Sequence, residues 1–370
     1  MSILTRRSFL AAASAATAVR WLPAGQDPQQ PAADELVWTD VVDWPIEGRA
    51  FTDRKAPYDR LPSRAEGVVR DKVWELSRES AGMVVRLLTD SPELHVRYRL
   101  TSDRLDMGHM PATGVSGVDL YGMAAGRPRW IEVSRPNARD VKAKLFADVP
   151  ADGPREFRLY LPLYNGIEKL EVGVAKGASL QPAAARTTKP ILFYGTSILH
   201  GACSSRPGMA WSAIVGRALD REILNFGFSG NGRMEKEVGQ FLAELDPAVF
   251  VIDCLPNMTP QLVAERTGPL VRQLRAARPN TPILLVEDRT FGNAWFFAKT
   301  AALHAQRRAA LRGAFDKLRE QGVERLHYLD GATLLGADDE ATTDGSHPND
   351  LGMMRQAEHV TKALRPILAD

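Results

Sequence analysis

The second half of the chain alternates short apolar runs with helical patterns. Most of the runs are apolar at nearly every position, which indicates strands buried on both faces and therefore a parallel, doubly wound sheet covered by helices. The five runs are Pro190–Gly195, Glu222–Gly227, Ala248–Leu255, Pro282–Asp288 and Arg325–Asp330. The predicted helices lie at Gly208–Leu219, Glu235–Leu245, Gln261–Ala277, within Lys299–Gln321, and at Gly352–Leu368.

The first half has a different hydrophobic period. His95–Leu100, Arg155–Leu163 and Lys169–Val174 alternate apolar with polar residues, which is typical of strands with one solvated face. Turn-forming residues separate these runs, and no long amphipathic helix is predicted among them. We therefore expect an all-β sandwich or jelly-roll-like domain over residues 36–180 and an α/β domain over residues 186–370, joined by the proline-bounded linker Lys176–Pro190.

Residues 1–35 have the features of an export signal followed by a linker. Arg6 and Arg7 precede an apolar run, Ser8–Val19, that is well short of the roughly 20 residues needed to span a bilayer. Paired arginines before Ser-Phe-Leu resemble the twin-arginine export signal of bacteria. Cleavage after Ala18 or after Ala24 fits equally well, and the mature protein is expected to be periplasmic or secreted, without stable insertion in the membrane.

Composition, charge and motifs give no support to several classes of function. A chain of 370 residues with 44% hydrophobic and 25% charged residues is typical of a globular protein, and its length predicts two domains. The net charge of +2 gives no electrostatic reason to expect a nucleic-acid partner. The 7 histidines include no H-E-x-x-H motif and the glycine-rich loops match no phosphate-binding fingerprint, so we predict neither a metal nor a cofactor.

Two cysteines are too few for a disulfide framework. Cys203 and Cys254 follow neighbouring predicted strands, so they could pair in an exported protein. Two separately buried thiols are the favoured expectation.

Polar residues follow the predicted parallel strands, at the edge of the sheet where catalytic residues collect. The first strand ends at Gly195-Thr196-Ser197, the second runs into Gly227–Gly232, the third leads to Asn257, and Asp344 and His347 precede the last helix. Each has an ordinary structural explanation: a helix cap, turn glycines, an asparagine turn, or a surface pair ahead of an N-cap at Asp350.

Together these residues supply what acyl transfer requires. A serine hydroxyl is a weak nucleophile until a base such as histidine removes its proton, and a carboxylate fixes the tautomer of that histidine. The set predicts Ser197 as nucleophile, His347 as base and Asp344 as its partner. The backbone N–H groups of Ser197 and Gly230 and the side-chain amide of Asn257 are the predicted donors to the oxyanion.

The order and spacing of these residues resemble the four sequence blocks of the SGNH (GDSL-type) hydrolases. The resemblance over Lys189–Asp370 implies a flavodoxin-like sheet and the same roles for the serine, glycine, asparagine, aspartate and histidine. The first block has Thr196 where the family usually has aspartate, and the third reads Leu-Pro-Asn-Met over residues 255–258. Gly117–Tyr121 reads Gly-Val-Asp-Leu-Tyr, similar to the GxDLY motif in the β-sandwich of one branch of the family.

The substrate is predicted from weaker signals. Export, the β-sandwich and the aromatic loop after the fourth strand, with Trp295 and Phe296, favour short-chain and above all acetyl esters of carbohydrate. That loop could equally be a packing anchor. His200 and Arg206 either contact the substrate or only satisfy the backbone.

Two other functions fit the same residues. An O-acyltransferase would pass the acyl group from Ser197 to an acceptor other than water, and a glycan-binding protein would keep the fold without turnover. The structure can distinguish a catalytic serine from a helix cap. If Ser197 is catalytic, its Oγ must lie within hydrogen-bond distance of His347 Nε2.

Overall fold

The computed structural model describes residues 36–150 and 153–369. Leu36–Asp370 form one compact unit. The predicted export signal and linker fall outside the described residues. The prediction of a β-rich first half and an α/β second half is confirmed by the three sheets described below.

Two antiparallel sheets occupy the first half of the chain and enclose one apolar core. The first has the order β1-β9-β4-β7: β1 Leu36–Asp40, β9 Ile167–Ala175, β4 Leu94–Leu100 and β7 Asp140–Phe146. The second has the order β10-β3-β8-β5-β6: β10 Leu180–Pro182, β3 Val84–Thr89, β8 Arg155–Tyr160, β5 Asp119–Ala124 and β6 Arg127–Val133, with β2 Ile46–Glu47 beside β3. Short helices α1 (Asp71–Ser77) and α2 (Ala112–Val115) interrupt the strands. The alternating residues of these strands pack inward because successive side chains point to opposite faces of a sheet.

The third sheet has five parallel strands in the order β12-β11-β13-β14-β15, which is the flavodoxin-like order 2-1-3-4-5. Its strands are β11 Ile191–Gly195, β12 Ile223–Gly227, β13 Val249–Asp253, β14 Ile283–Val286 and β15 Leu326–Leu329. The first four are buried at every residue, as their uninterrupted apolar sequence predicts.

Helices cover both faces of the parallel sheet, so it is doubly wound. The helices are α3 Ser197–His200, α4 Trp211–Leu219, α5 Lys236–Glu244, α6 Pro260–Ala277, α7 Ala298–Glu320 and α8 Asp350–Ile367. One apolar cluster joins the sheet to α5, α6 and α7, and another joins it to α4 and α8. The expected N-cap at Asp350 is wrong by one residue: Asn349 caps α8, with its Oδ1 accepting from Gly352 N at 3.1 Å.

A segment of the first half packs most of its apolar side chains against the parallel sheet. Phe51, Leu61 and Trp74 belong to the same core cluster as β11 and β12. Arg60, within this segment, is buried and donates to the carbonyl oxygens of Asn225 and Gly227 at 2.9 and 2.8 Å. The two halves therefore share a core, which the change of hydrophobic period near residue 180 does not reveal.

Both cysteines are free and buried, which confirms the favoured expectation. In the described part of the chain, no helix is long and apolar enough to cross a membrane.

Candidate active site

Three strand ends meet at the carboxyl edge of the parallel sheet. Gly195, at the end of β11, pairs in register with Gly227 of β12 on one side and with Asp253 of β13 on the other. The loops that follow these strands therefore leave the sheet side by side. This alignment places the segments carrying Ser197, Gly230 and Asn257 at one edge, as a parallel sheet requires.

Ser197 begins the one-turn helix α3 directly after β11. Thr196 caps this helix, with its Oγ1 accepting from Ile198 N at 3.3 Å, so the capping role falls to Thr196 and the Ser197 side chain is left free for another contact. Ser197 is buried except for 6% of its surface, and its Oγ lies 2.8 Å from His347 Nε2. The geometric test set by the sequence is met.

Asp344 and His347 form a tight turn ahead of α8. Asp344 Oδ1 accepts from the backbone N–H of Ser346 and His347 at 3.0 and 2.8 Å, and Asp344 Oδ2 lies 2.7 Å from His347 Nδ1. Burial alone would raise the pKa of Asp344, but these hydrogen bonds from His347 and Ser346 outweigh it and hold the pKa below its usual value. An ionised Asp344 fixes the tautomer in which Nδ1 carries the proton and Nε2 faces Ser197.

The loop after β12 reaches the serine through its glycines. A side chain at Gly232 would overlap the Gly195 carbonyl oxygen, so only glycine allows this close approach. Gly230 has a φ of +69° and faces open space. Among the described residues, neither the Gly230 nor the Ser197 backbone N–H donates to a protein acceptor, which leaves both available to an oxyanion.

Asn257 lies at the end of a short 3-10 turn after β13. It is half-buried, and its Oδ1 has no hydrogen-bond partner among the described residues. A structural asparagine turn would use this oxygen, so the side chain is not explained by local turn formation.

His200 is buried and is the last residue of α3, the helix that Ser197 begins. Its ring stacks on Tyr164 with centroids 4.2 Å apart, and the Tyr164 hydroxyl donates to Ser197 O at 3.2 Å. Burial lowers the pKa of His200, which keeps the ring neutral. Because His200 has no exposed surface, the structure favours its role in packing over the alternative of a substrate contact.

Arg206 binds the GxDLY-type motif. Its Nη1 donates to Asp119 Oδ2 at 2.8 Å and to the Tyr121 hydroxyl at 2.6 Å. Asp119 also accepts from Gly208 N at 2.8 Å and has no exposed surface. The motif therefore anchors the loop that follows Ser197, and Arg206 is engaged in that anchor.

The aromatic loop is exposed and tied to the histidine turn. Trp295 and Phe296 are 76% and 69% exposed, so they do not act as packing anchors. At the root of the loop, Gly292 N donates to Gly345 O at 3.0 Å, one residue from Asp344. The root of the aromatic loop is thus bound to the Asp344–His347 turn.

Two residues that border the site are not found by sequence reasoning, because they come from the sandwich half. These are Tyr164, which supports the Ser197 backbone, and His109, whose ring centroid lies 5.6 Å from that of His347. The only local signal for His109 is its place in the short Met-Gly-His-Met turn.

A sheet of this order, with a serine, a histidine and an aspartate in hydrogen-bond contact at its carboxyl edge, defines the class of SGNH-type hydrolases. The sequence profile of the GDSL-like lipase/acylhydrolase family matches residues 188–365. The GxDLY profile, described as the N-terminus of SGNH-hydrolase-type esterases, matches residues 36–180.

Solved structures with the same architecture extend this comparison. A GDSL-like lipase from Bacteroides ovatus is 30% identical, with a TM-score of 0.86 over 90% of this chain and 98% of that one. The protein thus belongs to the GDSL-like lipase/acylhydrolase family and is an esterase of SGNH type.

More distant structures share the fold. A salicylyl-acyltransferase from a tetracycline biosynthetic pathway is 20% identical, with a TM-score of 0.68 and coverage of 91% of this chain and 96% of that one. A family two carbohydrate esterase from Cellvibrio japonicus is 14% identical, with a TM-score of 0.59 and coverage of 90% and 98%. The search of curated proteins returned no match.

Proposed function

We propose that the protein is a serine esterase that removes acetyl groups, or other short acyl groups, from carbohydrate. The observation that carries the proposal is the continuous contact from Ser197 Oγ through the His347 ring to Asp344, with distances of 2.8 and 2.7 Å. These distances are those of a serine activated by a positioned base.

The first half of the reaction forms an acyl-enzyme. His347 Nε2 takes the hydroxyl proton as Ser197 Oγ bonds to the ester carbonyl carbon. The oxyanion accepts hydrogen bonds from the N–H groups of Ser197 and Gly230 and from the Asn257 amide. The tetrahedral intermediate collapses, its bond to the alcohol breaks, and protonated His347 returns the proton to the departing alcohol oxygen.

Water completes the reaction. His347 deprotonates a water molecule, the hydroxide adds to the acyl carbon, and Ser197 leaves with the proton that His347 held. The side chains of His347 and Asp344 are 23% and 37% exposed, so water has access to the base. This access supports hydrolysis over transfer to another acceptor, since a transferase must keep water from the acyl-enzyme.

The choice of carbohydrate rests on the exposed aromatic loop beside the histidine turn. Flat aromatic faces suit the apolar faces of sugar rings. The Cellvibrio japonicus structure, a carbohydrate esterase with the same fold, is in keeping with this choice. Export through the predicted signal, which remains a prediction, would bring the enzyme to polysaccharides.

The proposal is tested by acetate release from acetylated xylan, acetylated pectin and peptidoglycan fragments, together with kcat/KM on p-nitrophenyl acetate, butyrate and octanoate. We expect the acetate ester to be the best of the three and Ser197→Ala to lose activity by at least about a thousandfold. Thermal unfolding of this variant controls for its fold.

Three outcomes would change the assignment. A preference for octanoate would contradict the short acyl group. Acetylation of an added sugar acceptor without acetate release would favour the acyltransferase. Retained activity in Ser197→Ala would contradict the nucleophile itself.

A further inference from the structure

A two-residue turn brings a histidine from the sandwich half to the rim of the active site. Met107 and Met110 exchange two backbone hydrogen bonds, of 3.0 and 2.9 Å, which leaves Gly108 and His109 at the tip. The His109 and His347 ring centroids are 5.6 Å apart. The esterase reaction proposed above gives His109 no task.

A free thiol, that of Cys203, lies within 4.8 Å of a ring nitrogen of both histidines. Cys203 is buried and has a φ of +68°, a left-handed conformation that is costly for a residue with a Cβ.

The loops that carry His109 and Cys203 are docked on each other. Thr113 Oγ1 donates to Ser205 O at 2.6 Å, and a side chain at Gly114 would overlap the Ser204 carbonyl oxygen. Met110 is buried with Ala210 in one apolar cluster. The two potential ligands are thus held near their positions by backbone packing on both sides.

One ligand atom from each of His109, Cys203, Asp344 and His347 lies within 4.8 Å of the others. In a tetrahedral zinc site with bonds of about 2.0–2.3 Å, ligand atoms are roughly 3.5 Å apart. Side-chain rotations that move these atoms by about an ångström would bring all four within bonding distance of one ion. Two imidazoles, a thiolate and a carboxylate are ligand types that Zn²⁺ accepts together.

We propose that these four residues form an inhibitory Zn²⁺ site that takes His347 out of catalysis. Both ring nitrogens of His347 serve the esterase reaction, one facing Ser197 and the other Asp344. A metal bound to either nitrogen removes the base or its orientation. Zn²⁺ thereby acts as a reversible inhibitor, and the sandwich half supplies one of its ligands.

Two measurements on the full chain, freed of metal with EDTA, test this site. Zn²⁺ is titrated against p-nitrophenyl acetate hydrolysis, and Co²⁺ is titrated as a spectroscopic probe of thiolate ligation. We expect Zn²⁺ to inhibit, added EDTA to restore activity, and Co²⁺ to give a thiolate-to-metal charge-transfer absorption. The Co²⁺ measurement needs no ester substrate, so it reports on the site even if the esterase proposal fails.

Single-residue variants identify the ligands. Cys203→Ser and His109→Ala should keep the metal-free activity and raise the Zn²⁺ concentration for half-inhibition by about tenfold or more. Cys203→Ser should also lose the charge-transfer absorption. His359→Ala on α8, which removes a histidine outside the cluster, is the matched control and should behave as the wild type.

The proposal is overturned if Zn²⁺ leaves the activity unchanged or if both ligand variants are inhibited as strongly as the wild type. It is equally overturned if bound Co²⁺ shows no thiolate absorption in the wild type.

Discussion

At the scale of single residues, the proposed chemistry depends on which groups have no other partner. Thr196 provides the helix cap, which leaves the Ser197 hydroxyl to His347. The backbone N–H groups of Ser197 and Gly230 have no protein acceptor in the described residues, and the Asn257 side chain is not used by a local turn. Donors that are already free need no rearrangement when negative charge develops on the substrate.

The role of Asn257 can be measured directly. We expect Asn257→Ala to reduce kcat on p-nitrophenyl acetate by about 100- to 1000-fold with little change in KM, because the lost donor acts mainly in the transition state. Asn257→Asp keeps the size of the side chain but replaces the donor with a carboxylate, and it should be at least as slow. A loss of less than about threefold in both variants would remove Asn257 from the oxyanion site.

At the scale of secondary-structure elements, the one-turn helix α3 is supported from outside the parallel sheet. Tyr164 follows β8 of the sandwich, stacks on His200 and donates to the Ser197 carbonyl oxygen. Helix α3 has only one turn, so contacts of this kind contribute much of its order.

Tyr164→Phe separates the hydrogen bond from the stacking. It should lower the free energy of unfolding by about 1 kcal/mol and reduce kcat several-fold at unchanged KM. The Ser197 carbonyl oxygen loses one hydrogen bond, but the substrate loses no contact. Urea unfolding and steady-state kinetics measure the two effects. Tyr164→Ala, which also loses the stacking, should be worse in both, and equal behaviour of the two variants would mean that the hydroxyl alone matters.

The exposed aromatic loop before α7 predicts a split between substrates. Trp295→Ala and Phe296→Ala should raise KM for acetylated polysaccharide and leave kcat/KM for p-nitrophenyl acetate unchanged, because a small ester does not reach the loop. Their melting temperatures should match the wild type, as both side chains are largely exposed. If both variants have the wild-type KM for acetylated polysaccharide, the loop does not bind the polysaccharide.

At the scale of the whole molecule, the two halves are joined by a buried ion pair and by a shared core. Asp119 of the sandwich has no exposed surface and Arg206 is 18% exposed, while the segment of Phe51 and Trp74 packs on the parallel sheet. This arrangement predicts one cooperative unfolding transition for the compact unit, not two.

Asp119→Ala tests how much this junction contributes. We expect it to lower the free energy of unfolding by about 3–5 kcal/mol, since it leaves Arg206 largely buried without its carboxylate. Glu132→Ala, which breaks the more exposed pair with Arg135, is the matched control and should cost less than about 1 kcal/mol. Similar losses in both variants would mean that the buried pair has no special role.

The amino-acid sequence by itself determined the two hydrophobic periods, and with them the antiparallel sheets, the five parallel strands and the helices between them. These features are local, because each strand or helix displays its burial pattern within a few residues. The sequence also predicted that three side chains would meet at the carboxyl edge of the parallel sheet, those of Ser197, Asp344 and His347. Each follows a strand or precedes a helix whose position the hydrophobic pattern gives.

Only the tertiary structure decided which distant segments meet. Packing of the two halves brings the Tyr164 hydroxyl to the Ser197 carbonyl oxygen and pairs Arg206 with Asp119. It also places apolar residues between positions 51 and 76 on the parallel sheet. The same packing brings His109 and Cys203 close to His347. No periodicity encodes such contacts, because they depend on how complete surfaces fit together and not on the spacing of residues along one strand or helix.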